Sequence, residues 1–101
     1  MPDYRRVDQL REELTSRAYE IDGYKEVIQE LSEREDFYGQ IPYWERIIGL
    51  FNSMVVMTEQ LEEEYGSRFD EFQKLLDRYR YSLQGAVRVA RQGGVTLPDV
   101  L

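Results

Sequence analysis

Residues 43–91 read YWERIIGLFNSMVVMTEQLEEEYGSRFDEFQKLLDRYRYSLQGAVRVAR, and the fold turns on how they are parsed. Within them Trp44, Ile48, Phe51, Val55, Thr58, Glu62, Tyr65, Phe69, Phe72, Leu76, Tyr79, Leu83, Ala86 and Ala90 step by four and three in strict alternation. That is a heptad seam, with apolar residues brought to one face of a helix. Ile47, Met54, Leu61, Leu75 and Val87 widen the stripe. The pattern predicts a helix over about 43–91, roughly 74 Å long at 1.5 Å per residue. Gly66-Ser67 is the one place where it could break, since glycine ends helices and Ser67 with Asp70 resembles a capping box. A break there gives a three-helix bundle. Continuity of the heptad phase through Tyr65, Phe69 and Phe72 favours a single helix.

Upstream, Val7, Leu10, Leu14, Ala18, Ile21, Tyr24, Ile28 and Leu31 also step by threes and fours, which predicts a first helix over about 4–37. Residues 38–42 then read as a turn. Gly39 can take the left-handed conformation, and Pro42 suits the first turn of the next helix. A connection this short makes the two helices antiparallel. The expected fold is therefore all-α, one domain over 1–101. It is a coiled-coil-like helical hairpin with a long second helix, and Gly93-Gly94 stop that helix before an apolar tail over 92–101. Gly23, Gly49 and Gly85 weaken a helix, which suggests close helix approach at those points.

The 101 residues carry 33% charged and 42% hydrophobic residues, a globular rather than a disordered or membrane-spanning composition. The expected setting is the cytoplasm, with no membrane partner. Neither cysteine nor histidine is present. Disulfides, thiol catalysis and the commonest general base are thus excluded. No Gly-rich phosphate loop or activated nucleophile is visible, so the expectation is a non-enzyme with no catalytic, cofactor or metal residues. Glu59, Glu62, Glu63 and Glu64 fan around a helix by about 100° per residue and read as a solvated face rather than an ion site.

Charge is unevenly laid out along a chain of net −7. Residues 12–36 hold nine acids against Arg17, Lys25 and Arg34, a net of −6. Residues 59–71 hold six acids against Arg68, a net of −5. Residues 72–92 hold Lys74, Arg78, Arg80, Arg88 and Arg91 against Asp77, a net of +4. The overall sign argues against nucleic acid as a partner, because phosphates repel an acidic body.

In a hairpin turning near residue 40, the first helix ends opposite residue 77. Residues 78–91 then overhang with their apolar seam uncovered. They are the expected interface with a protein partner or a second copy, through Tyr79, Leu83, Ala86, Val87 and Ala90 flanked by Arg78, Arg80, Arg88 and Arg91. The same register pairs Arg17 with Glu62 across the seam and sets the two acidic stretches side by side. The expected function is an interaction or assembly module that self-associates or docks a partner through helix faces. The alternative is an acidic nucleic-acid mimic or inhibitor, of viral type, that fills a basic cleft.

Overall fold

The computed structural model describes residues 4–101, and within them the protein is all-α. Three helices follow one another: α1 (Arg5–Glu33), α2 (Phe37–Tyr65) and α3 (Asp70–Gln92). The body measures 54 × 22 × 17 Å, close to the roughly 44 Å length of a 29-residue helix plus its end loops.

The long second helix expected over 43–91 is broken, and Gly66 is the reason. It takes φ +63°, a left-handed conformation that costs a β-carbon-bearing residue ~1–2 kcal/mol. The amide of Ser67 donates to the Glu62 main-chain oxygen at 3.1 Å, closing α2. Four residues later α3 starts. The Glu62 carboxylate ties down its start, accepting from the amide of Phe69, just before the helix, at 2.8 Å and from Gln73 Nε2 at 2.9 Å. Tyr65, Phe69 and Phe72 pack with their rings edge-on or tilted to one another around this corner, at centroid separations of 5.7 and 5.8 Å. The chain therefore turns back through residues whose apolar character had suggested straight continuation.

The first turn also differs from the expectation. α1 ends at Glu33, and the connection is 34–36 rather than 38–42. Glu35, not Gly39, takes the left-handed conformation, at φ 58°. Gly39 is instead helical, and its amide donates to Asp36 Oδ1 at 2.9 Å. That side-chain cap starts α2 three residues after the carboxylate. A β-carbon at this position would crowd the Asp36 carboxylate out of its capping place. Pro42 lies inside the helix and withholds one amide from its hydrogen-bond ladder.

Moving the turn changes the register. Arg17 reaches Ser53, Arg46 covers Tyr24, and Arg6 pairs with Glu64, so residue i of α1 faces about residue 70 − i of α2. The expected Arg17–Glu62 pair does not form. Arg17 Nε donates to Ser53 Oγ at 3.1 Å and its guanidinium pairs with Glu13 one turn back, while Glu62 caps α3. Nor do the two acidic stretches lie side by side. The one over 59–71 meets the arginines of the first turns, through Arg6–Glu64 and Arg11–Glu71.

The core runs through Leu14, Ile21, Ile47, Ile48, Phe51, Met54, Leu76 and Leu83, all essentially inaccessible to solvent. Thr58 is the one buried polar residue among those described, and its hydroxyl donates to the Met54 main-chain oxygen at 2.8 Å. Residues 78–91 are thus no overhang. Tyr79 and Leu83 enter this core, and Val87 and Ala90 pack against it.

The tail folds back as well. Gly94 takes φ 81° as α3 ends, Leu97 is buried, and Asn52 brackets the last residues with both ends of its amide. Its Nδ2 donates to the Asp99 main-chain oxygen at 2.8 Å, and its Oδ1 accepts from the Leu101 amide at 3.0 Å.

Candidate functional site

α1 lies closely along α2, whereas α3 meets α2 over a shorter stretch and stands off from α1. Near the Gly66 end, long side chains bridge α1 and α3. The Tyr79 hydroxyl donates to Asp22 at 3.1 Å, Lys25 sits 5.2 Å from the Tyr79 ring centroid, and Arg11 lies 5.7 Å from that of Phe72. Burial, and next to it the charge of Asp22, raises the Tyr79 phenol above its ordinary pKa. Toward the other end the bridging side chains run out. A groove of about 490 Å³ opens between Lys25, Ile28, Ser32, Trp44 and Ser82. It continues into a wider cleft of about 600 Å³ between the start of α2 and the last turns of α3.

Trp44 and Ser32 line both parts, with Trp44 as the shared floor. The indole Nε1 donates to Gln40 Oε1 at 3.3 Å, one turn back, so the ring lies among apolar neighbours with its polar atom satisfied. Ile41 continues the α2 wall. The α3 wall is Gly85, Ala86, Val89, Ala90 and Gly93, a face of small side chains that leaves the volume unfilled. Nothing lies within 4 Å of where a β-carbon on Gly85 would stand, so this glycine widens the cleft rather than allowing close helix packing. Gly23 and Gly49 are open in the same way, contrary to the close approach expected there. At the mouth stand Phe37, Tyr38 and Val89, exposed to 63%, 81% and 68%. Three large apolar groups presented together beside an apolar cleft form a patch of the kind found at interaction sites.

Comparison with known protein families, characterised proteins and solved structures finds no match.

The residues singled out from the sequence are divided by this arrangement. Ala86 and Ala90 line the cleft, Tyr79 and Leu83 lie in the core, and Val87 is half-buried. Arg78, Arg88 and Arg91 are exposed. Arg80 turns to the tail, donating from Nε to the Leu101 main-chain oxygen at 3.0 Å while pairing with Asp77 at 2.6 Å and lying 5.6 Å from the Phe51 centroid. Phe37, Tyr38, Trp44, Gly85 and Val89 are the site residues that sequence reasoning missed. A signal existed for Gly85, which stands beside two alanines where the stripe loses bulk. Phe37 falls at the end of the expected first helix and Tyr38 in the expected turn, where neither carries a signal.

Among the described residues, no three acidic side chains converge as a metal site would require. No helix among them is long and apolar enough to cross a membrane.

Proposed function

We propose that this protein is a non-enzymatic protein-binding module, and that the Trp44 cleft is where it binds. The observation that carries the reading is the pairing of an unfilled apolar cleft with exposed Phe37, Tyr38 and Val89 at its mouth. Such a surface suits an apolar side-chain cluster set on a rigid frame, with few polar groups to dictate chemistry. The cleft also takes in Ala86 and Ala90 from the stretch that the sequence marks as an interface, while the core keeps Tyr79 and Leu83 for the fold itself.

An acidic mimic draws less support. Arg6 and Arg11 engage the acids of the 59–71 stretch, which breaks up the continuous negative surface that such a mimic would need.

The test is binding by the immobilised chain beside an Ala86→Glu variant, whose carboxylate would project into the cleft. Circular dichroism would verify that the variant stays folded. Binding lost in the variant supports the cleft. A binding profile identical in both chains removes it as the site.

A further inference from the structure

We propose that residues 95–101 are an internal strap, a resident peptide in a seat built by Asn52 of α2 and Arg80 of α3, and that the partner of this protein is an extended apolar segment that displaces them. This deepens the protein-binding reading above and rests on it, because the strap supplies Val95 and Leu97 to the wall of the Trp44 cleft.

The way the seat holds its occupant is the first reason. Residues 95–101 form neither helix nor strand. Val95 donates to the Ala90 main-chain oxygen at 2.9 Å as α3 closes, but among the described residues no main-chain hydrogen bond ties the segment to a helix from Thr96 onward. Side chains of the helices do so instead. Asn52 takes the Asp99 oxygen and the Leu101 amide, and Arg80 Nε takes the Leu101 oxygen. In an extended chain the carbonyl of one residue and the amide two residues on point to the same side, so one carboxamide serves both. All three bonds read main chain, a mode that leaves the side chains of the bound segment free to vary. Only Leu97 is fully taken in, with Val95 and Val100 half-buried and Thr96, Pro98 and Asp99 exposed. Pro98 holds Leu97 extended, which lowers the ordering cost of seating it. The seat thus accepts an extended segment with a leucine two residues before the carbonyl that Asn52 binds.

The second reason is that the seat stands without the strap. Arg80 is fixed by Asp77 at 2.6 Å and lies 5.6 Å from the Phe51 ring centroid. Asn52 is the next residue after Phe51, which the core buries completely. Its amide has no other partner among the described residues, so a vacated seat presents a free donor and acceptor pair. Release of the strap also disturbs little. It leaves α3 through Gly93 and Gly94, the latter at φ 81°, where glycine turns freely. Its three side-chain bonds lie at the surface, where water replaces them. A segment that takes the place of Leu97 therefore enters the seat and the cleft together.

The experiment is fluorescence anisotropy of a dye-labelled synthetic peptide of residues 94–101, titrated with the full chain. Leu97→Asp alters the strap and leaves the seat intact, so this variant, verified as folded by circular dichroism, is expected to bind the peptide. The unaltered chain is expected to bind it roughly tenfold more weakly or worse, because a tethered strap competes at an effective concentration on the order of 1 mM. Adding Asn52→Ala to Leu97→Asp is expected to weaken binding about fivefold or more, through the loss of two hydrogen bonds. A folded Leu97→Asp chain that fails to bind up to about 1 mM overturns the proposal. So does binding equal in the unaltered and Leu97→Asp chains, or binding indifferent to Asn52→Ala. If Leu97→Asp does not fold, hydrogen exchange of the unaltered chain decides. The Leu101 amide is then expected to be protected about 100-fold less than that of Leu83, as a segment that opens by itself must be. Equal protection of the two amides means that the strap opens only with the whole domain, and overturns the proposal. The peptide is the chain's own and Ala86 is unaltered throughout, so the strap fails or stands separately from the Ala86→Glu test of the cleft.

Discussion

Replacing Leu83 by alanine separates a folded-back α3 from an uncovered one. Leu83 is fully buried in the core that the three helices share. Truncation deletes three carbon atoms, worth roughly 2 kcal/mol in transfer free energy at about 0.8 kcal/mol each. The cavity left in a packed core adds to that, for a total of about 3 kcal/mol within the usual range of 2–5. For a domain of this size each kcal/mol moves the melting temperature by about 4–8 °C, so a drop of roughly 12–24 °C is expected. The assay is urea unfolding followed by circular dichroism at several protein concentrations, with Val89→Ala as the exposed control. Val89→Ala should fall within about 0.5 kcal/mol of the parent chain. A loss below about 1 kcal/mol for Leu83→Ala would refute the packing. So would a loss that appears only at concentrations where the chain associates, since the residue would then be covered by another molecule.

Glu62→Ala should cost about 1–2 kcal/mol, because it strips the carboxylate that receives the Phe69 amide and Gln73 at the start of α3. Arg17→Gln should leave α3 untouched, and chemical denaturation of the two variants checks the contrast. Glu64→Gln should lower the melting temperature at low salt by the small amount that an exposed pair with Arg6 contributes, about 1 kcal/mol or less, and the difference should vanish in 1 M salt. Tyr79 supplies a pH dependence. Its phenol is held above the ordinary value of 10.0, first by burial and then by Asp22, so the folded state keeps the proton when the unfolded chain has released it. The stabilisation is complete below pH 10 and is lost as the pH climbs from there through the raised folded value. Melting of the parent and of Tyr79→Phe between pH 8 and pH 11 should therefore show their difference shifting toward the phenylalanine chain above pH 10.

The helical class, the α1 stripe and most of the core were legible in residue spacing, because burial of one helix face dictates that spacing wherever the chain runs. Leu14, Ile21, Phe51, Leu76 and Leu83 all sit where the pattern set them. The turn at Gly66 was legible only as an alternative. Residues 66–69 are four in number, so a loop of that length advances the pattern by the same step as a helical turn. Tyr65, Phe69 and Phe72 are apolar because the corner packs their rings together, and that demand looks the same as a continuing seam. At the first turn, Gly39 and Pro42 drew attention away from the Schellman closure at Glu35, which has no glycine to mark it. Moving that turn by a few residues shifts the register and undoes the Arg17–Glu62 pairing, whereas the supposed overhang disappears because the chain breaks at Gly66 and α3 folds back. The cleft could not be read from spacing at all. It exists because α3 stands off from α1, a distance that no one-dimensional pattern encodes.

The return of α3 along α2 is what creates the Trp44 cleft, and the chain is built to report on it. It holds one tryptophan and no cysteine, so Ser82→Cys gives a unique site for a thiol-linked acceptor dye against a unique donor. Trp44 and Ser82 line the same groove. In an unbroken helix they would stand about 57 Å apart at 1.5 Å per residue, beyond the reach of tryptophan transfer. The measurement is energy transfer from Trp44 to the labelled position, with the labelled chain diluted in unlabelled protein so that only transfer within one molecule is seen. Near-complete quenching of Trp44 by the acceptor is the expected result. Trp44 emission unchanged by the acceptor would contradict the fold-back, and with it the cleft and everything proposed to bind there.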